Sequence, residues 1–144
     1  MKFLRLLVIS FAFPSIGEAS TIAPVTCTQP DTSFHRFLRS FGEDKKFQRT
    51  RLLIPLVARY GEYSVNDAQI EVLDQPEINN LPYPLFRSAK ERASDGIYQD
   101  IVLLSKRYAE VFHGQREADS DRVLYKFRNI DHCWFLEEFH DKAL

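Results

Sequence analysis

The chain has 144 residues, 44% hydrophobic and 27% charged, with 12 Phe, 6 Tyr and a formal net charge of -1. So many rings at so little net charge exclude a disordered segment, and a slightly negative exported chain lacks the positive field that gathers nucleic acid. The five glycines, at 17, 42, 61, 96 and 114, are isolated, which excludes a glycine-rich phosphate cradle; no Gly-x-Ser-x-Gly nucleophile turn occurs and no cofactor is expected.

The first 19 residues read as an export signal. Lys2 and Arg5 give a positive start, Leu4 to Phe13 give an apolar run, and Gly17-Glu18-Ala19 offers small residues at the spacing of a cleavage site. The apolar run is shorter than the roughly 20 residues that cross a bilayer. The expectation is a periplasmic or secreted bacterial protein without a membrane span, its mature form starting near Ser20. About 125 residues then remain, the length of one domain.

Residues 20–30 are rich in Thr and Pro and read as an extended leader. Cys27 and Cys133 are the only cysteines, and in an oxidising compartment one intramolecular disulfide is their simplest arrangement. Pro24-Val25-Thr26 before Cys27 argues against a lipid-modified cysteine, which wants a small residue in front of it.

Residues 31–144 are expected to form a single α+β domain. Phe34, Phe37, Leu38 and Phe41 fall at i, i+3, i+4 and i+7, one apolar stripe of a helix capped by Asp31 or Thr32 and stopped by Gly42. A second helix runs from Asp44 to about Thr50. Leu52-Leu53-Ile54 then starts an apolar run broken by Pro55, with Leu56 to Tyr60 as an edge strand. Residues 61–84, with Asn66, Pro76, Asn79, Asn80, Pro82 and Pro84, read as loop. A helix near Leu85 to Ala93 and strands after Gly96 follow. Arg122 to Arg128 and Cys133 to His140 alternate around Asn129-Ile130-Asp131-His132 and form a β-hairpin. With Ile130 and Asp131 at the tip, Phe127 lies opposite Trp134 and Tyr125 opposite Leu136. Leu124, Lys126, Phe135, Glu137 and Phe139 then occupy the other face.

Phe34-x-x-Phe37-Leu38-x-x-Phe41, Phe47-Gln48-x-x-Arg51 and Pro55-Leu56 at the front, with Val123-Leu124-Tyr125-Lys126-Phe127 and Cys133-Trp134-Phe135-Leu136 at the back, resemble the nuclear transport factor 2-like superfamily. The Phe-Gln-x-x-Arg and Cys-Trp-x-Leu pieces are similar to an exported bacterial family of unknown function within it. The resemblance implies N-terminal helices packed on a curved antiparallel sheet, cone-like, ending in a β-hairpin. It also implies a cavity between sheet and helices that such proteins use for small-molecule catalysis or for binding. Fold alone does not choose between the two.

Residues 31–60 carry seven Lys/Arg against three acids. A run of this kind more often serves as a solvated face; its functional reading is a docking surface formed by Arg36, Arg39, Lys45, Lys46 and Arg49. On the hairpin register above, Glu138 and His140 face the cavity with Trp134 and Leu136 and are the catalytic candidates, a desolvated carboxylate being able to act as a base. His113, His132, Cys133 and His140 lack metal-ligand spacing, so no metal is expected. The expected protein is a monomer or weak dimer that binds an unidentified protein or small ligand without catalysis; the alternative is a cofactor-free small-molecule enzyme. A cavity filled by Phe37, Tyr125, Phe127 and Trp134 would exclude the enzyme. An open one of about 300 Å³ with a buried carboxylate would favour it.

Overall fold

The structure, a computed structural model, describes residues 27–61, 69–116 and 122–142. The expected signal, residues 1–19, and the leader up to residue 26 lie outside the described residues.

Helix α1 (Phe34–Glu43) carries the anticipated stripe, with Phe34, Phe37, Leu38 and Phe41 all buried. Ser33 caps it, its hydroxyl accepting from the Arg36 N–H, where Asp31 or Thr32 was expected; Asp31 is drawn to another partner described below. Gly42 does not stop the helix. It lies inside α1, where a Cβ would come within 3.4 Å of the Arg87 carbonyl and the Ser88 Cα, so its bare backbone permits a close approach. Asp44 ends α1 and caps α2 (Lys45–Thr50), accepting from the Lys46 and Phe47 N–H groups.

Strand β1 (Leu52–Tyr60) is continuous through Pro55, which sits in an irregularity of its pairing with β6 between Leu52 and Val57. That tolerates the missing proline donor. Contrary to expectation β1 is not an edge. Residues 69–79, read as loop, form strand β2 (Gln69–Leu73) and a short helix α3 (Gln75–Asn79) with an Asp74/Glu77 capping box. Helix α4 (Ala89–Asp95) ends at Gly96 in the left-handed conformation, φ 67°, and the chain turns into β3 (Ile97–Leu104), followed by β4 (Tyr108–Gln115), β5 (Val123–Ile130) and β6 (Cys133–Asp141).

These form one open six-stranded sheet in the order β2-β1-β6-β5-β4-β3. The sheet is antiparallel, as expected, at every junction but one, where β1 pairs parallel to β6. A shared anchor lies at the start of both strands. The Arg51 guanidinium, at the head of β1, pairs with both Asp31 carboxylate oxygens at 2.9 and 3.2 Å and donates to the Trp134 carbonyl at 3.2 Å. The Asp31 carboxylate in turn accepts from the Trp134 N–H at 2.8 Å. Both strands leave this buried cluster in the same direction.

One face of the sheet packs on α1. Phe127 meets Phe34, Phe37 and Phe41 edge-on with centroids 5.5–5.6 Å apart, and Trp134 meets Phe34 at 4.8 Å. Edge-to-face contacts add to the roughly 1.5–3 kcal/mol that burying each such side chain contributes. The disulfide Cys27–Cys133, with Cα atoms 6.3 Å apart, ties the leader to the start of β6.

The final hairpin differs from its expected register. Asp131 and His132, both at positive φ (49° and 65°), form the two-residue tip, so Phe127 pairs with Leu136 and Asn129 with Trp134. A β-bulge then intervenes, since Lys126 pairs with Glu138 and leaves Glu137 as the extra residue. Trp134, Leu136 and Phe127 share the α1 face, and Phe139, opposite Tyr125, joins them instead of lying outside.

Candidate functional site

The bulge at Glu137 exchanges the faces of every residue after it. Glu138 and His140, expected in the cavity, lie on the opposite face of the sheet. There the Glu138 carboxylate takes Lys126 and Arg59, each at 2.9 Å. Burial works to raise its pKa, but the hydrogen bonds from Lys126 and Arg59 outweigh it and hold the group below the ordinary carboxylate value. The His140 Nε2 contacts the Gly61 carbonyl at 2.7 Å. The two catalytic candidates therefore do not reach the cavity.

The cavity exists and is open, with a volume of about 560 Å³. Its walls come from the segment 81–87, the end of α4, the start of β3 and the far ends of β1, β4, β5 and β6. Phe37, Phe127 and Trp134 do not fill it; they belong to the α1 core, and of the four residues anticipated as a plug only Tyr125 reaches its lining.

Gln48 positions the wall. Fully buried on α2, its side-chain amide donates to the Phe86 carbonyl at 2.7 Å, and its amide oxygen accepts from the Leu85 and Phe86 N–H groups at 3.0 and 3.3 Å. The Tyr125 hydroxyl donates to the Leu85 carbonyl at 2.9 Å. Leu85 is thereby held from both sides while lining the cavity.

The polar groups of the lining are neutral or engaged. His113 is 3% exposed, wedged between the rings of Phe86 and Tyr125 at 4.4 and 5.0 Å, and its Nε2 meets the Gln99 amide oxygen at 3.1 Å. Burial, reinforced by the nearby Arg92 and Arg87 charges, pulls its pKa down to about 3, so the imidazole is uncharged near neutrality. Burial pushes the Tyr125 hydroxyl up, and it stays protonated. Arg87 pairs with Asp95 at 3.1 Å, and the Glu91 carboxylate accepts from the Ser88 N–H at 2.8 Å. Among the carboxylates lining the cavity, Glu91, Asp95 and Asp141, none is buried. Tyr60 and Phe139, edge-on at 6.2 Å, close the far end.

The five basic candidates are all exposed and do not form one patch around the opening. Arg49 stacks its guanidinium 4.3 Å above the Tyr83 ring, itself part of the cavity lining. Arg39 lines a smaller groove of about 220 Å³ between α1, α4 and β3. Arg36 lies on α1, and Lys45 and Lys46 lie in the first turn of α2. Among the described residues no three His, Cys, Asp or Glu side chains gather as a metal-holding group, and no helix is long and apolar enough to cross a membrane.

His113 and Gln48 had no functional part in the reading of the sequence. Ala109, Val111 and His113 alternate on one face of β4 with apolar partners, and that period of two was the available signal for an inward-facing histidine.

An open curved sheet closed over by short helices with a cavity at one end is the nuclear transport factor 2-like architecture, and comparison with solved structures agrees. A nuclear transport factor 2-like protein from Bacteroides fragilis superposes with a TM-score of 0.51 at 16% identity over 84% of this chain and 51% of its own. A cystatin-like protein from Bacteroides caccae gives 0.51 at 16% identity over 79% of this chain and 78% of its own. The chain spans about half the length of the B. fragilis protein, and at such identity the likeness is one of fold. No protein-family model matches the sequence, and no curated protein is significantly similar to it.

Proposed function

We propose that the protein is an exported, non-catalytic binding protein whose cavity takes an uncharged, largely apolar small molecule. The observation that carries this reading is the electrostatic state of the lining. The buried imidazole of His113 and hydroxyl of Tyr125 are uncharged near pH 7, Arg87 is paired with Asp95, and the remaining charged lining groups, Glu91 and Asp141, are only half-buried. Around them Tyr60, Tyr83, Leu85, Val123 and Phe139 supply rings and aliphatic surface. A volume of about 560 Å³ suits a drug-sized molecule. The same volume is half of what an enzyme would need. The other half, a buried acid or base, has no support: His113 is far too weak a base at pKa about 3, and Glu138 and His140 face away. The single cystine and the N-terminal signal support an oxidising, extracytoplasmic setting.

The test is titration with Nile red, a neutral dye that brightens and shifts to the blue in apolar surroundings. Saturable binding at one site is expected, and Val123→Trp, which places an indole in the opening, should weaken it by at least about tenfold. Absence of binding, or binding that Val123→Trp leaves unchanged, overturns the reading.

A further inference from the structure

We infer that β3 is a self-association edge, at which a second copy of this chain adds antiparallel to join the two sheets about a two-fold axis near Leu103. Strand β3 ends the sheet, and among the described residues no strand covers its outer side. Three consecutive residues there, Val102, Leu103 and Leu104, are 57%, 45% and 47% exposed. At the bulge Val102 and Leu103 both stand opposite Glu110, while Leu104, opposite Ala109, takes the other face. A partner lying flat on the sheet would therefore cover only part of this set, whereas a strand added at the edge covers both faces at once and satisfies the unpaired backbone groups.

The charges indicate that the added strand is the same strand. The apolar triplet is bounded on one side by Asp100 and on the other by the β3–β4 turn, whose Lys106 and Arg107 are exposed. In a two-fold antiparallel arrangement centred on Leu103 the triplets meet each other. The bulge between Ile101 and Leu103 shortens the count by one residue, bringing Asp100 of each copy level with the Ser105–Lys106 part of the other's turn, within reach of its cations. Each complex thus contains two unlike-charge contacts flanking six apolar side chains. Ile97, which lines the cavity, lies six residues from the axis, roughly 20 Å along the strand. Pairing leaves the cavity mouth free, so this inference stands or falls apart from the ligand.

An edge of this size is a small interface, and a dissociation constant on the order of 10–100 μM is expected. Sedimentation velocity of the protein with its disulfide intact should show the mean mass rising from monomer towards dimer across that range. Leu103→Lys, at an exposed position, should leave the circular dichroism unchanged and hold the protein monomeric. Asp100→Lys alone, and Lys106→Asp with Arg107→Asp, should each weaken association by about tenfold through like-charge contacts, and the three substitutions together should restore it. A protein monomeric up to about 500 μM, association indifferent to Leu103→Lys, failure of the triple variant to recover, or open-ended growth beyond the dimer would each overturn the inference.

Discussion

Replacing Gln48 by Met tests whether a single buried amide builds the cavity wall. The substitution keeps length and approximate volume while removing every hydrogen-bonding atom. Three bonds disappear, at 2.7, 3.0 and 3.3 Å, and strand the Phe86 carbonyl and N–H together with the Leu85 N–H. Phe86 is 1% exposed, so neither of its groups can turn to water. Leu85 is only half-buried and its N–H can recover a solvent partner. Two orphaned backbone groups at about 1–3 kcal/mol each, offset by the easier burial of a thioether than of an amide, give a net loss of about 3 kcal/mol. That is a large share of the 5–15 kcal/mol typical of a domain. In urea, where a domain of this size loses about 1–3 kcal/mol per molar, the midpoint should fall by roughly 1–3 M relative to wild type and to the exposed-site control Glu43→Gln. Because Leu85 is also the acceptor of the Tyr125 hydroxyl, Nile red binding should weaken under native conditions as well. A variant within about 0.5 kcal/mol of wild type would refute the claim that this amide is the fastener.

Two further outcomes follow from buried chemistry. His113 is more easily protonated in the unfolded chain, near its ordinary 6.5, than in the fold, near 3, so its contribution to stability is complete above about pH 6.5 and declines as the pH falls from there towards 3. The slope approaches 1.4 kcal/mol per unit, about 2 kcal/mol by pH 5. Chemical denaturation at pH 7, 6 and 5 stays above the range in which Glu138, with its lowered pKa, titrates; a slope that persists in His113→Gln would show that another group is responsible. The Cys27–Cys133 bridge closes a loop with a sequence separation of 106, so Cys27→Ser with Cys133→Ser should destabilise by about 4–5 kcal/mol on the chain-entropy account. A loss below about 1 kcal/mol, or two free thiols in the native exported protein, would contradict it.

What the sequence made legible follows from where local chemistry and tertiary packing agree. The stripe of α1 could be read directly because its period of 3.6 matches the face it buries, and the last hairpin because both strands alternate. Strand β2 was missed for the converse reason. Gln69-Ile70-Glu71-Val72 does alternate, but Gly61, Asn66, Pro76, Asn79 and Asn80 around it read as loop, and the structure turns Ile70 and Val72 outward at 53% and 61% exposure. Asp31 reads as a helix cap in isolation. Its capture by Arg51, twenty residues away, and by the Trp134 N–H is a tertiary preference that no local rule contains. Arg51 itself counts as one cation of a basic run in the sequence, yet it is 6% exposed, with its guanidinium 4.8 Å from the Phe47 ring and 5.4 Å from that of Phe135. The Phe-Gln-x-x-Arg motif is thus two fasteners on one helical turn, Gln48 gripping the cavity wall and Arg51 the start of the sheet.

The candidate site was lost and regained through one inserted residue. Without the bulge at Glu137, alternation from Trp134 would place Glu138 and His140 in the cavity, and a carboxylate beside the Tyr60 and Tyr125 rings would have been a plausible acid. With it, Phe139 takes the inward position and Glu138 turns out to meet Arg59 and Lys126. The exchange suits both faces. A carboxylate in the cavity wall would suffer desolvation, whereas on the opposite face it completes a three-residue ion network with Arg59 and Lys126. Inside, a phenyl ring extends the apolar lining and meets Tyr60 edge-on. The bulge therefore turns Glu138 away from the cavity, and the buried titratable groups of the wall, His113 and Tyr125, are uncharged near neutrality. On the proposed reading the cavity selects by contour and by these uncharged buried groups, while none of the charged side chains of its lining, Arg87, Glu91, Asp95 and Asp141, is buried.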